Sequence, residues 1–310
     1  MRTIRTRDPL EAAEILRGGG TCAFPTETVY GLGAVANDRR AVEAVFQAKG
    51  RPQDNPLIVH LADLEDVDGV AVMTSSGRRL LEAFAPGPLT VVLPVRGGLA
   101  ASVTAGLDTV AVRIPALEVA RDVLRAVGAP AVAPSANTSG RPSPTTWQAV
   151  LEDLDGRIDG ILEGPPTQIG LESTVVDASG EVPIMLRPGR ITLPEIRSVH
   201  PGARRALSTI EADRSPGTRH RHYAPRARVE VIALEDARPG LEVAWIGLSA
   251  PPSGYGLVVV CADLEEYAHR LYDTFRRADA AGLARIEAER VEVGGLGAAL
   301  ADRLERAAVR

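Results

Sequence analysis

The chain has 310 residues, which favours two domains over one, and its 45% hydrophobic and 24% charged content is that of a folded globular protein. A net charge of -5 counts against a surface built for general, tight nucleic-acid binding, which needs a basic stripe. Cys22 and Cys261, far apart and with no CxxC pair, leave neither a zinc ribbon nor a disulfide framework.

No apolar run reaches the roughly 20 residues of a membrane span. The basic start leads into a helix pattern instead of an apolar signal core, so a soluble cytoplasmic protein is the expectation. Residues 8–18 read as a short helix, with Leu10, Ala13, Ile15 and Leu16 at rough helical spacing and Gly18 to Gly20 as its stop. Thr21 to Tyr30 reads as a strand running into a turn at Pro25. Val42, Val45 and Phe46 predict a helix over Asp38 to Ala48. Strand signals follow at Leu57 to Leu61, Leu89 to Val95, Thr109 to Ile114, Ala131 to Ala133, Ile161 to Leu162 and Ser173 to Val176. Helical patterns at Ser76 to Phe84 and Leu117 to Val127 interleave with them, which argues an α/β layer structure. The proline-rich insertions PGP, RIP, APSAN and PSPTT point to a mixed, twisted sheet with long functional loops.

Periodicity fails from about His200 to Arg228, a polar stretch rich in proline and glycine that reads as a linker. A small α/β unit follows, with strands at Val229 to Leu234, Val243 to Leu248 and Gly256 to Val260. Asp263 caps the next helix, Glu266 completes a capping box, and Leu264, Ala268, Leu271 and Phe275 form its apolar stripe. A strand over IEAERVEV and a helix over Leu296 to Ala308 end the chain. The expected division is 1–200, a linker at 201–228, and 229–310.

Lys49 is the only lysine; every other fixed cation is an arginine. That isolation is either compositional accident or the mark of a site needing a compact ammonium in place of a guanidinium fork. It opens the densest polar cluster, KGRPQDNPLIVH, where Gly50 and two prolines force an irregular path between a helix and a strand. Lys49, Arg51 and Asn55 can then converge on one anion, as a polyphosphate requires. The competing reading is a solvated helix end whose cations offset the helix dipole. Upstream, PTETVYGLG sets two hydroxyls around a carboxylate and suits a polar pocket lip. Gly31 to Ala36 also fits GxGxxA, but Pro25 interrupts the strand before it and no helix clearly begins at the glycines. A P-loop is excluded, because glycine follows the lysine.

Further along, Thr109 and Arg113 fall on one side of a strand. The small-residue loop APSANTSG, running on to Ser143, has backbone N–H groups suited to phosphate or ribose. Ser173, Thr174 and Arg187 add two hydroxyls and another cation. His60 ends an apolar strand, where a lone histidine is commonly packed or capping; His200 and His269 read as surface residues. Neither HExxH nor a spaced ligand set for a permanent metal is present.

In this order, PTETVYGLGA, KGRPQDNPLIVH, PGPLTVVLP, VAVRIP, APSANTSGRPSPT, ESTVVD and LRPG resemble the YrdC-like threonylcarbamoyl-AMP synthase family. SPGTRHRHYAP and a small unit ending GLGAALADRLERAA resemble its long, two-domain form, so the likeness spans nearly the whole chain. The resemblance implies a twisted mixed sheet with a large cationic cavity, followed by a small Rossmann-like α/β domain. It implies a nucleotidyltransferase that joins L-threonine, bicarbonate and ATP into threonylcarbamoyl-AMP and pyrophosphate, the precursor of a tRNA modification. By motif, Lys49, Arg51, Asn55, Thr109, Ser135, Ser143 and Arg187 fall to ATP, with Lys49 and Arg51 the catalytic pair. Thr28, His60, Arg113 and Ser173 fall to threonine. Magnesium is implied as a passenger on ATP, and a downstream threonylcarbamoyl-transferase as the partner, tRNA being reached only through it. His222 and Tyr223 are implied as a lid over the cavity. Members of the family often carry a polar residue where this chain has Ala133. A non-catalytic RNA-binding module is the alternative, opposed by net acidity and by an aromatic content of only 4%.

Overall fold

Local signals set the first elements of the structure, a computed structural model that describes residues 2–208 and 223–309. Strand β1 (Ile4–Thr6) leads into α1 (Pro9–Arg17), where Asp8 caps by accepting from the Leu10 N–H and a proline opens the first turn. β2 (Cys22–Phe24) and β3 (Gly31–Val35) are antiparallel, and the PTETVY segment is their connection. The GxGxxA glycines therefore lie on a buried strand. A Cβ at Gly33 would stand 2.7 Å from the Phe24 ring, so close packing is what those glycines serve. Helix α2 (Arg39–Lys49) starts at the Asp38 cap and stops at Gly50, whose φ of 60° is left-handed. That stop leaves Lys49 on the last turn and Arg51 just beyond it.

The chain continues through β4 (Ile58–His60), α3 (Ser75–Phe84), β5 (Leu89–Pro94), α4 (Ala101–Thr104), β6 (Thr109–Arg113), α5 (Glu118–Val127) and β7 (Ala131–Val132). Then come α6 (Trp147–Leu154), β8 (Gly160–Leu162), β9 (Thr174–Asp177), β10 (Ile184–Arg187), α7 (Leu193–Val199) and β11 (Arg204–Arg205). These strands form one mixed sheet in the order β1-β8-β2-β3-β7-β4-β6-β5-β9-β10-β11. β4 and β6 are parallel neighbours, in register His60 to Arg113, and both strands end where the functional cavity begins. The main core lies between this sheet and its helices, with Leu32, Val59, Val91, Val112 and Val176 among its fully buried members.

The second unit holds β12 (Arg228–Ile232), β13 (Val243–Gly247), β14 (Leu257–Val260), α8 (Leu264–Ala280), β15 (Arg285–Glu289) and α9 (Leu296–Ala308). Its four strands are all parallel, in the order β12-β15-β13-β14. Ala268, Leu271 and Phe275 of the predicted stripe on α8 are buried, and Asp263 caps by accepting from the Glu266 N–H. The Glu266 carboxylate reaches back to the Ala262 N–H, one residue short of a regular capping box. Among the described residues no helix is long and apolar enough to cross a membrane.

The two units share a core. Val29 and Leu171 of the first pack with Tyr223 and with Tyr267, Leu271, Tyr272 and Phe275 of α8. Arg276 donates to both carboxylate oxygens of Asp153, at 3.2 and 3.0 Å, and to the Pro142 carbonyl. His269 is partly exposed at the edge of the seam, where its Nδ1–H donates to the Gln168 carbonyl at 3.1 Å. His200 likewise is only half exposed, with Nε2 at 3.3 Å from Ser76 Oγ. Gly170, at φ +79°, lies so close to α8 that an added Cβ would stand 2.6 Å from His269 Cα. Gly170→Ala should therefore cost about 2–3 kcal/mol through strain and overpacking at this seam. The check is a lower urea midpoint than that of the control Gly180→Ala, where a Cβ meets nothing within 4 Å.

Candidate active site

A cavity of about 530 Å³, counting its open mouth, lies at the ends of β4 and β6 and under the loops that follow β2 and β7. Thr28, His60, Arg113 and Ser173, the residues expected around an amino acid, all line it. So do Arg51, Ser135, Arg187 and Tyr223.

The cations are held stiffly. Arg113 donates from Nη2 to Glu27 Oε1 at 2.6 Å and from Nη1 to Thr28 Oγ1 at 2.8 Å. Thr28 Oγ1 in turn pairs with Thr26 Oγ1 at 2.9 Å. Arg187 donates to the Ser173 carbonyl and to its Oγ, and Ser173 Oγ also meets Thr90 Oγ1 at 2.7 Å. Arg51 is tied to the carbonyls of Asn55 and Pro56, the latter at 2.9 Å. Burial lowers the Arg51 guanidinium to about 10 and lowers that of Arg187 as well.

Lys49 is not on the cavity wall. It is fully buried, and its ammonium donates to the carbonyls of Ser135 and Asn137 at 2.5 and 2.7 Å. Burial, then the nearby Arg51, pulls it well below the ordinary lysine range. The solvated-helix-end reading therefore fails, and the lysine pins the small-residue loop that carries Ser135. Asn55 is also buried behind the wall. Ser143 is turned aside, its Oγ donating to Glu172 Oε1 at 2.5 Å. Thr109 is four positions back along β6 from Arg113, roughly 13 Å away at strand spacing. His222 lies outside the described residues.

His60 is buried and neutral. Its Nδ1–H donates to the Ile58 carbonyl at 3.2 Å, which leaves Nε2 a lone-pair acceptor. Burial and then the Arg113 charge push its pKa down to about 3. Glu172, also on the cavity wall, is ionised: burial pushes its carboxyl up, but Arg303, Arg187 and Ser143 outweigh that and hold it below its usual range. It accepts from Tyr272 OH at 3.0 Å and from Arg303 Nε at 2.9 Å, both from the second unit. Tyr223 closes the wall. Held at φ 68°, it stacks on Tyr272 with centroids 5.5 Å apart, and the Arg303 guanidinium lies over its ring at 5.3 Å. Among the described residues no three His, Cys, Asp or Glu side chains cluster as a metal site.

Glu27, Glu172, Tyr272 and Arg303 carry this geometry without having been singled out from sequence. The only signal was Glu27 between two threonines; nothing local marks an arginine in the last helix as an active-site neighbour.

An α/β enzyme site built from arginines, hydroxyls and backbone carbonyls is thus joined to a second α/β unit. The family model Sua5/yciO/yrdC, described as "Telomere recombination", matches residues 14–189, and the model "Threonylcarbamoyl-AMP synthase, C-terminal domain" matches residues 191–309. The chain belongs to this Sua5/YciO/YrdC family, in its two-domain form. It is 42% identical to the threonylcarbamoyl-AMP synthase of Pyrococcus abyssi, over 96% of this chain and 92% of that one. The Bacillus subtilis threonylcarbamoyl-AMP synthase is 41% identical, over 98% and 94%. The crystal structure of P. abyssi Sua5 complexed with L-threonine matches with a TM-score of 0.88 at 39% identity, covering 99% of this chain and 97% of that one.

Two predictions follow from the buried groups. Because the His60 pKa is lower folded than unfolded, the unfolded chain takes up a proton that the native chain refuses between about pH 6.5 and 3. Stability then falls as pH falls through that window, by up to about 1.4 kcal/mol per pH unit, and His60→Gln should flatten the slope of urea midpoint against pH. Lys49→Arg keeps the charge but not the shape. It should lower turnover more than about tenfold, about 1.4 kcal/mol, in steady-state assays.

Proposed function

We propose that the chain is a threonylcarbamoyl-AMP synthase, a nucleotidyltransferase that consumes L-threonine, bicarbonate and ATP and releases pyrophosphate. The observation that carries the reading is one cavity lined by Arg113, Arg51 and Arg187 with hydroxyls between them and, among the described residues, no nucleophile–base pair. Such a site works by positioning and charge neutralisation. The threonine amine adds to bicarbonate-derived CO2 and gives a carbamate. The carbamate oxygen attacks the α-phosphorus of ATP, the bond to the β-phosphate oxygen breaks, and pyrophosphate leaves with the electron pair.

In this reading Arg113, Thr28, His60 and Ser173 hold threonine, Arg113 taking its α-carboxylate. Arg51, Arg187 and Ser135 meet the nucleotide. Lys49, Asn55 and Ser143 support that half of the site from behind, Lys49 by setting the Ser135 loop. Thr109 serves the nucleotide only if ATP extends along β6. Magnesium comes with ATP, consistent with a hard cation that keeps its waters and binds phosphate oxygens. The product passes to a threonylcarbamoyl-transferase that acts on tRNA.

Mass spectrometry on protein incubated with ATP, magnesium, L-threonine and bicarbonate tests this, each component being omitted in turn. A threonylcarbamoyl-adenylate that needs every component, with matching pyrophosphate, is the expected result. ATP consumption without threonine, or salt-sensitive RNA binding with no adduct, would sink the reading. Tyr223 shields the labile adenylate from water in the same scheme. Tyr223→Ala should raise hydrolysis of the intermediate relative to its formation; an unchanged ratio and unchanged turnover would remove the lid.

A further inference from the structure

We infer that Glu27 is the positioning residue of the amino-acid half of the site, acting through Arg113 without touching substrate. The inference rests on the reading of Arg113 as the carboxylate-binding arginine. Both Glu27 oxygens are engaged. Oε1 takes Arg113 Nη2 at 2.6 Å, and Oε2 takes the Ala116 backbone N–H at 3.0 Å. Its side chain is 4% exposed and that of Arg113 is 5% exposed. Glu27 does not line the cavity, whereas Arg113 and Thr28 do.

The arrangement is a clamp. One carboxylate anchors the guanidinium to the backbone just past β6, and Thr28 Oγ1 fixes a second nitrogen at 2.8 Å. The connection that carries Glu27 is itself pinned, since its own carbonyl accepts from the Ile169 N–H at 2.8 Å. Nε also donates to the Gly87 carbonyl at 3.4 Å, so the guanidinium is held at all three nitrogens. It keeps one N–H on each of Nη1 and Nη2, which suits planar bidentate recognition of a carboxylate.

Charge makes the same distinction. Arg113 is compensated by a carboxylate in direct contact, so the pair carries little net charge and suits a monoanion. Arg51 is hydrogen-bonded to carbonyls alone among the described residues, so its full charge faces the cavity and suits a polyphosphate. Glu27 would thereby keep threonine and ATP from competing for the same cation.

The test uses the full chain and two ligands measured separately, L-threonine and ATP with magnesium. Glu27→Gln leaves one acceptor oxygen for two donors, so either Arg113 or Ala116 loses its anchor. Threonine affinity should fall at least tenfold, while ATP affinity stays within about twofold and reports that the protein is folded. Glu27→Asp, which keeps both acceptors on a shorter arm, should recover part of the loss. In an Arg113→Met background Glu27→Gln should cause no further loss of threonine affinity, because the two residues act as one unit. Equal losses for both ligands, no loss for threonine, or additive losses in the double variant would overturn the inference. Failure of the wild-type chain to bind threonine at all would instead overturn the functional reading on which it rests.

Discussion

Buried positive charge is the constraint that organises this molecule. Lys49, Arg113 and Arg187 are nearly inaccessible to water, and an ion removed from water costs several kcal/mol unless its hydrogens are met. The acceptors come mostly from backbone: the carbonyls of Ser135 and Asn137 for Lys49, of Ser173 for Arg187, and of Asn55 and Pro56 for Arg51. A carbonyl already engaged in a sheet ladder is poorly placed for this task. The proline- and glycine-broken loops at the strand ends leave carbonyls off the ladder, and those are the ones used. Irregular backbone here is thus a supply of neutral acceptors that holds cations in place without cancelling their charge.

The same logic ties the second unit to the site. Glu172 sits on the cavity wall with Arg187 near it, and two of its hydrogen bonds come from Tyr272 and Arg303. Arg303 is fully buried, far from any solvent role, and also lies over the Tyr223 ring. Removing the second unit would leave an ionised carboxylate and an aromatic wall unsupported. Arg276 makes a parallel link through Asp153 to the loop that Lys49 holds, because the Asp153 carboxylate also accepts from the Thr138 N–H and pairs with Arg141. The small domain is therefore part of the active-site wall and not an appendage.

Much of the site was readable in order of appearance along the chain. Arg51, Thr28, His60, Arg113, Ser135, Ser173, Arg187 and Tyr223 do meet around one cavity. Lys49 was legible as unusual but not as a loop anchor, since its direction depends on where Gly50 turns the backbone. Ser143 reads as an open hydroxyl in the sequence, yet it is turned aside by Glu172, whose own position depends on Arg303. The GxGxxA run has a functional look, but as the interrupted strand before it indicated, its glycines serve the close packing of Ala133 and Phe24 against β3.

What the sequence by itself determined is local in range. Helix α1 with its Asp8 cap, α2 stopped at Gly50 and the α8 stripe all follow from periodicity and capping within a few residues. The resemblance in its motifs further identified the family. Only the tertiary structure decided which polar groups are spent on each other. Glu27 meets Arg113 across 86 positions and Glu172 meets Arg303 across 131. Hydrogen-bond partners at that separation are chosen by how the sheet stacks its strands and how the second unit docks. No local propensity encodes either, because a charge in sequence carries no direction until the backbone around it is folded.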